Sequence, residues 1–227
     1  MNLRDLELTG AWFQVGGNLI AAIGTTRGFA GEEKIESDLV IVGSSLQALG
    51  YILQIIATND AKDEDKCEKQ EVTIDNKNKA LAKTGIELLA LGNISNVIGT
   101  YFNLNEQMKE NDFLIITGNS LQSIGAFLGV EVALNEINGI QWIIVLGNSM
   151  QSLGAGLQAY QGIQNISKEE NGNEDEDEDE DEDSNIDKED QRIIGLIGIW
   201  IQAIGTVISA IGLTEIVEEQ RLESKKR

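Results

Sequence analysis

The chain has 227 residues, enough for one large domain or two small ones. Its 38 acidic residues outweigh 17 basic ones, a formal charge of −21, which excludes electrostatic docking on nucleic acid or on anionic lipid headgroups. It has no histidine, no proline and one cysteine, Cys67, which excludes the commonest general base, an intrachain disulfide and a cysteine-rich metal site.

Met1 to Glu7 carries Arg4, Asp5 and Glu7 and lacks the basic start of a secretory signal, so the N-terminus is expected to be retained. Six uncharged stretches follow: Leu8 to Thr26, Leu39 to Asn59, Leu88 to Asn105, Phe113 to Val130, Ile137 to Ser167 and Ile193 to Thr214. A globular helix of such length carries charges on its wet face, whereas uncharged runs of about 18 or more residues are candidate membrane spans. The second and sixth stretches read as good spans. The first and fifth read as weak spans, with Gln14 and Asn18 in the first and Gln141, Asn148, Gln151, Gln158 and Gln161 in the fifth, and the third also carries amides. Each such amide needs a partner in hydrocarbon. Trp12 and Trp142 lie near stretch ends and fit an interfacial belt; Trp200 lies deeper and fits packing equally well.

Two connectors are long. Asp60 to Lys83 has the composition of solvated, disordered chain, and so does Ser167 to Gln191, which holds ten consecutive acids from Glu174 to Asp183. That run could bind divalent cations or a basic partner, but it lacks the turn glycine and ligand spacing of a calcium loop, and a self-repelling linker is the favoured reading. Links near Gly31 to Asp38, Glu106 to Asp112 and Glu136 to Gly139 are short and join antiparallel neighbours. The expected organisation is a five-helix repeat region over 1–164 with a charged linker at 60–83, an acidic disordered linker over 165–191, and a sixth helix with a charged tail over 192–227. Its hairpins would be helices one and two, then three to five, with helix six beyond the insert.

One unit recurs. Gly118-Asn119-Ser120-Leu121-Gln122-Ser123-Ile124-Gly125 returns as Gly147-Asn148-Ser149-Met150-Gln151-Ser152-Leu153-Gly154. Looser copies run Gly43 to Gly50, Gly92 to Gly99, Gly17 to Gly24 and Gly198 to Gly205. Spacings of three and four continue for about twenty residues, which predicts helices with a stripe of small residues and amides beside an aliphatic face. Glycine inside a helix costs about 1 kcal/mol relative to alanine. Repeating that cost predicts a compensating close approach of helix backbones, with amides bonding across the contact. Seven-residue spacing keeps such a seam on one side of a supercoiling pair. The expected packing residues are Gly43, Gly50, Gly92, Gly99, Gly118, Gly125, Gly147, Gly154, Gly198, Gly205, Asn119, Gln122, Asn148 and Gln151.

Tandem hydrophobic segments with a Gly-Asn-x-x-Gln-x-x-Gly signature resemble an uncharacterised family of repetitive proteins of Bacillus-type bacteria. The resemblance covers the six stretches and not the linkers. Gly17 to Gly24 departs from the pattern with Ala21 in place of the amide, and Gly198 to Gly205 with Ile199 in place of Asn. The resemblance implies a bacterial setting and no activity.

No phosphate loop, dinucleotide-binding turn or GxSxG nucleophile elbow is present in the sequence. Glu87 and Glu131 lie near predicted helix ends and read as interfacial acids. No catalytic, cofactor-binding or metal-ligating residue is expected, and the chain does not read as an enzyme. The expected fold is an all-α bundle of about six helices built from internal repeats, with a disordered acidic insert. The favoured function is an integral membrane bundle with an inward Gly/Asn/Gln stripe and both termini cytoplasmic. The alternative is a soluble, self-assembling structural protein of a bacterial coat or envelope. There the aliphatic faces would form the core and the stripes would meet other copies.

Overall fold

A computed structural model describes residues 2–64, 74–105, 108–135, 141–172 and 182–226. They form six helices: α1 (Leu3–Phe29), α2 (Glu33–Glu64), α3 (Ile74–Asn105), α4 (Lys109–Asn135), α5 (Gln141–Gly172) and α6 (Glu182–Lys226). No strand occurs among the described residues. With no proline anywhere, nothing of that kind interrupts the hydrogen-bond ladders. Acids in the first turns, Asp5 in α1, Glu33 and Glu36 in α2, Glu110 and Asp112 in α4, complement the positive helix ends. Between α1 and α2 the chain reverses at Gly31, whose φ of +90° is a conformation that favours glycine.

The helices outrun the uncharged stretches. α2 continues to Glu64 and α3 begins at Ile74, so helix occupies part of the 60–83 segment that composition reads as a linker. The reason is local. Ala80, Leu81, Ala82 and Lys83 are good helix formers, and Lys83 pairs with Glu87 one turn on, at 3.6 Å. Likewise α5 runs to Gly172 and α6 starts at Glu182, reaching from both sides into the 165–191 insert. Most of the acidic run, with Cys67 and the centre of the 60–83 linker, lies outside the described residues. α6, with 45 residues, is about 68 Å long at 1.5 Å per residue.

The six helices stand antiparallel in a ring. Each packs against its two neighbours in the chain, and α6 returns to pack against α1. The strongest associations are α1 with α2, α3 with α4 and α5 with α6, so the ring is three hairpins. Helix six is therefore not set apart from the first five: it pairs with α5 across the acidic insert and closes the ring on α1. A long connector costs little in closure entropy, so its length did not decide the pairing.

Ring closure rests on interlocked small side chains. Ala21 and Ala22 of α1 pack with Ile199 and Ala203 of α6, and Ala11 and Val15 with Ala210. Arg192 donates to the Gly28 carbonyl oxygen at 2.7 Å and stacks over Phe29, and Trp200 donates to Thr26 at 3.1 Å. At the opposite end Arg221 pairs with Asp5.

Polar and apolar residues are inverted relative to a water-soluble bundle. Asn18 and Asn93 are 0 % exposed, while Phe127 is 60 % and Leu153 57 % exposed. Val42, Leu49 and Ile56 on α2, Leu146, Leu153 and Tyr160 on α5, and Ile197, Ile204 and Ile211 on α6 repeat every seven residues along the outer wall, all exposed. The aliphatic faces do not form the core. Among the described residues three helices are long and apolar enough to cross a membrane, over Glu33–Thr58, Lys109–Asn135 and Gln191–Ser224. They belong to α2, α4 and α6, and alternate with α1, α3 and α5.

Candidate functional site

The expected packing residues fall into two sets, glycines between helices and amides inside the ring. A Cβ built on Gly43 would meet the Gly17 carbonyl oxygen at 2.5 Å, and one on Gly50 that of Gly10, also at 2.5 Å. In the second hairpin Gly92 faces the Gly118 carbonyl at 2.5 Å and Gly125 that of Gly85 at 2.6 Å. In the third, Gly205 faces Gly147 at 2.6 Å and Gly198 faces Gly154 at 2.8 Å. Gly99 has no glycine opposite and meets the backbone of Asn111 at 2.7 Å. At each of these glycines the nearest obstacle is backbone, which cannot turn aside, so the seams favour glycine. The seven-residue step keeps each seam in register along antiparallel helices.

The amides sit beside the seams and line an axial lumen. Asn119 accepts from Asn96 Nδ2 at 2.7 Å, linking α4 to α3. On α5, Gln151 donates to Asn148 Oδ1 at 3.2 Å and to Ser209 Oγ of α6 at 3.0 Å, and Ser209 donates to Asn148 at 2.8 Å. Gln122 accepts from Gln202 Nε2 at 2.6 Å, and Gln202 accepts from Gln158 Nε2 at 2.6 Å. This chain of three amides runs from α5 through α6 to α4. Because α4 and α6 both flank α5, the Gln122–Gln202 bond passes along the inner side of α5. Asn18 donates to Thr206 Oγ1 at 3.0 Å across the α1–α6 closure.

Two cavities occupy the lumen, each lined by all six helices. The larger, about 600 Å³, opens at the end where α1 meets α2 and α3 meets α4. Its wall carries Glu33, Glu36, Asp112 and Arg192 near the mouth, and Gln47, Asn93, Asn96, Gln122 and Gln202 deeper in. The smaller, about 400 Å³, opens at the end that holds the start of α1 and the end of α6. Glu7 and Gln220 share its wall with Tyr51, Leu89, Leu213 and Val217. Burial pushes the Glu7 carboxyl above its ordinary range, and Arg4 partly restores it. Charged groups thus stay near the mouths, and neutral amides fill the middle.

Several residues in these arrangements were not among the expected ones. Gly10 and Gly85 lie one seven-residue step before Gly17 and Gly92, a step visible in the sequence. Asn18 and Asn93 follow Gly17 and Gly92 just as Asn119 follows Gly118, so the looser copies carry the same signature at the same place. Trp12 and Trp142 are both exposed on the outer wall toward the end that carries Glu7. Glu131 and Glu87 do not line either cavity. Among the described residues no group of three or more acidic or cysteine side chains is placed to hold a metal ion.

No curated protein and no solved structure matches the chain. A family model described as a family of unknown function matches residues 5–184, which span the first five helices and the insert up to the start of α6. The chain belongs to this family of unknown function, DUF6944.

Proposed function

We propose that the chain is a non-enzymatic integral membrane bundle, with its Gly/Asn/Gln stripes facing inward and its aliphatic faces toward lipid. The observation that carries the reading is the inversion of the wall: buried amides inside, a continuous belt of exposed Phe, Leu, Ile and Trp outside. In water such a belt would be an association surface far larger than a monomer tolerates. In a bilayer it meets hydrocarbon, while the amides lie inside the ring, where Asn96 bonds Asn119 and Gln158, Gln202 and Gln122 bond in series. The resemblance noted above adds a Bacillus-type bacterial membrane as the setting. Association of the belt with other copies, in a coat or envelope, is the competing reading.

Carbonate extraction of a membrane fraction from the native host separates the two. Retention in the pellet is expected, and full release of the chain would overturn the membrane reading. Orientation follows from the basic residues. The end with both termini holds Arg4, six lysines from Lys62 to Lys83, and Arg221, Lys225, Lys226 and Arg227; the other holds Arg27, Lys34, Lys109, Lys168, Lys188 and Arg192. Basic residues mark the cytoplasmic side. The termini are therefore assigned to the cytoplasm and the acidic run to the outside. A membrane-impermeant maleimide on intact cells should label a Cys67→Ser, Ser184→Cys double variant and not the wild type. The opposite pattern would reverse the orientation.

A further inference from the structure

The two cavities differ in what the second hairpin gives them. To the larger, α3 contributes Asn93, Asn96, Thr100 and Asn103. To the smaller, neither α3 nor α4 contributes a polar side chain; Ile86, Leu89, Ala126 and Val132 line it there with small neighbours. Leu213, Ile216 and Val217 of α6 extend this apolar surface toward the mouth.

The polar part of the smaller cavity is divided. On α5 and α6, Asn148, Gln151 and Ser209 bond one another. Thr206 accepts from Asn18 and donates to the Gln202 carbonyl oxygen at 2.9 Å. On α2, Tyr51 and Gln54 stand three positions apart on one helix face, and neither side chain bonds another described residue. Tyr51 is 3 % exposed, so bulk water does not cover its hydroxyl. That hydroxyl is not sealed off either, unlike Gln14 Nε2 on the same wall, which is enclosed and without a partner. A polar group kept open inside the ring and left unpaired is costly unless something fills the space before it. Water alone suits the place poorly: beyond Tyr51 and Gln54 it would lie against an apolar wall that offers no partners.

Charge does not belong here. Glu7, near the mouth, is the only charged residue of the wall among the described residues. An anion would find no cationic partner. A cation would meet a carboxyl whose own charge burial disfavours. Burying an unpaired charge costs far more than burying a hydroxyl that has a partner. A largely apolar cavity of about 300 to 1,000 Å³ with a few placed polar groups is the usual make-up of a small-molecule site.

We propose that the smaller cavity binds a small neutral molecule with an apolar body and one hydroxyl group, the body against α3, α4 and α6 and the hydroxyl on Tyr51 and Gln54. The cavity lies inside the ring, so the site stands whether lipid or other copies cover the outer wall, and carbonate extraction tests that question separately. The probe is 1-octanol carrying a photoactivatable diazirine on its chain. The full chain is purified and held in an amphipathic polymer, which is too large to enter the cavity. After illumination, mass spectrometry locates the adducts. Saturable adducts are expected on cavity residues such as Leu89 and Leu213, suppressed by excess 1-octanol and about tenfold less well by octanoate. Tyr51→Phe removes one hydrogen bond and should raise the half-saturating concentration about fivefold. Ile216→Trp fills the cavity and should return these adducts to background, with helicity unchanged and adducts on the outer wall retained. Wild-type adducts confined to outward residues such as Leu146 and Ile204 would overturn the site. So would octanoate competing as well as octanol, or a half-saturating concentration unmoved by Tyr51→Phe. Cavity adducts that survive in folded Ile216→Trp would overturn it as well.

Discussion

Within each hairpin the helices meet backbone against backbone, whereas between hairpins they meet through side chains. The α1–α2, α3–α4 and α5–α6 contacts share one construction, reciprocal glycines facing each other's carbonyl oxygens. The α4–α5 contact instead uses Ser123 and Ser152, each donating to the other's backbone carbonyl at 2.9 Å. The α6–α1 contact uses alanines, Asn18 with Thr206, and Arg192. Contacts between backbones have one register and no rotamers with which to adjust. Side-chain contacts can break and reform with small shifts. The two kinds of contact therefore differ in how a substitution can be accommodated.

The largest effect should come from forcing a side chain into a glycine seam. Gly125→Leu and Gly154→Leu are each expected to destabilise by about 3 kcal/mol, because overpacking against fixed backbone cannot relax. Leu128→Ala, on the same helix and half-buried, should cost about 1 kcal/mol. Thermal melts of purified variants decide it, and unchanged midpoints for both leucine variants would remove the distinction between the two kinds of contact. A middle-sized effect is expected between hairpins. The Gln122–Gln202 bond joins the second hairpin to the third, and a double-mutant cycle to leucine should show coupling of about 0.6 to 1.7 kcal/mol. Zero coupling would mean that the second and third hairpins dock without amide bonds between them. The smallest effect is expected from deleting residues 171–185. Helical circular dichroism should fall by no more than the deleted residues themselves contribute, since loop length costs little in closure entropy. A larger loss would make the insert part of the α5–α6 seam.

The six helices were legible because charge disappears from long stretches and returns between them. The recurring stripe was legible because Gly118 to Gly125 and Gly147 to Gly154 agree so closely. What the pattern concealed was which helices pair. Gly147 and Gly154 face Gly205 and Gly198, yet the acidic insert between them made α6 look remote. Helix ends were hidden for a similar reason. Gly85 lies before Glu87, outside the uncharged stretch, so a boundary drawn at the charge left out a seam residue. The ring itself had no local signal. Asn18 and Thr206 are 188 positions apart in sequence, and only the closed arrangement brings them within 3.0 Å. The lumen follows from closure, and was equally out of reach of periodicity.

Closure by the last helix also bears on the order of synthesis. α6 leaves the ribosome after the other five, and until it docks on α1 the arrangement is an open trough. In a bilayer the amide floor of that trough, with Asn18, Gln47 and Asn93, would face lipid, where unpaired polar groups are costly. Every partial product that ends before Ile193 shares that exposure. The Asn18–Thr206 and Arg192–Gly28 bonds form only when both ends of the chain are present and correctly placed. A chain in which α6 has docked on α1 thus differs from one in which it has not in whether its polar interior is sealed.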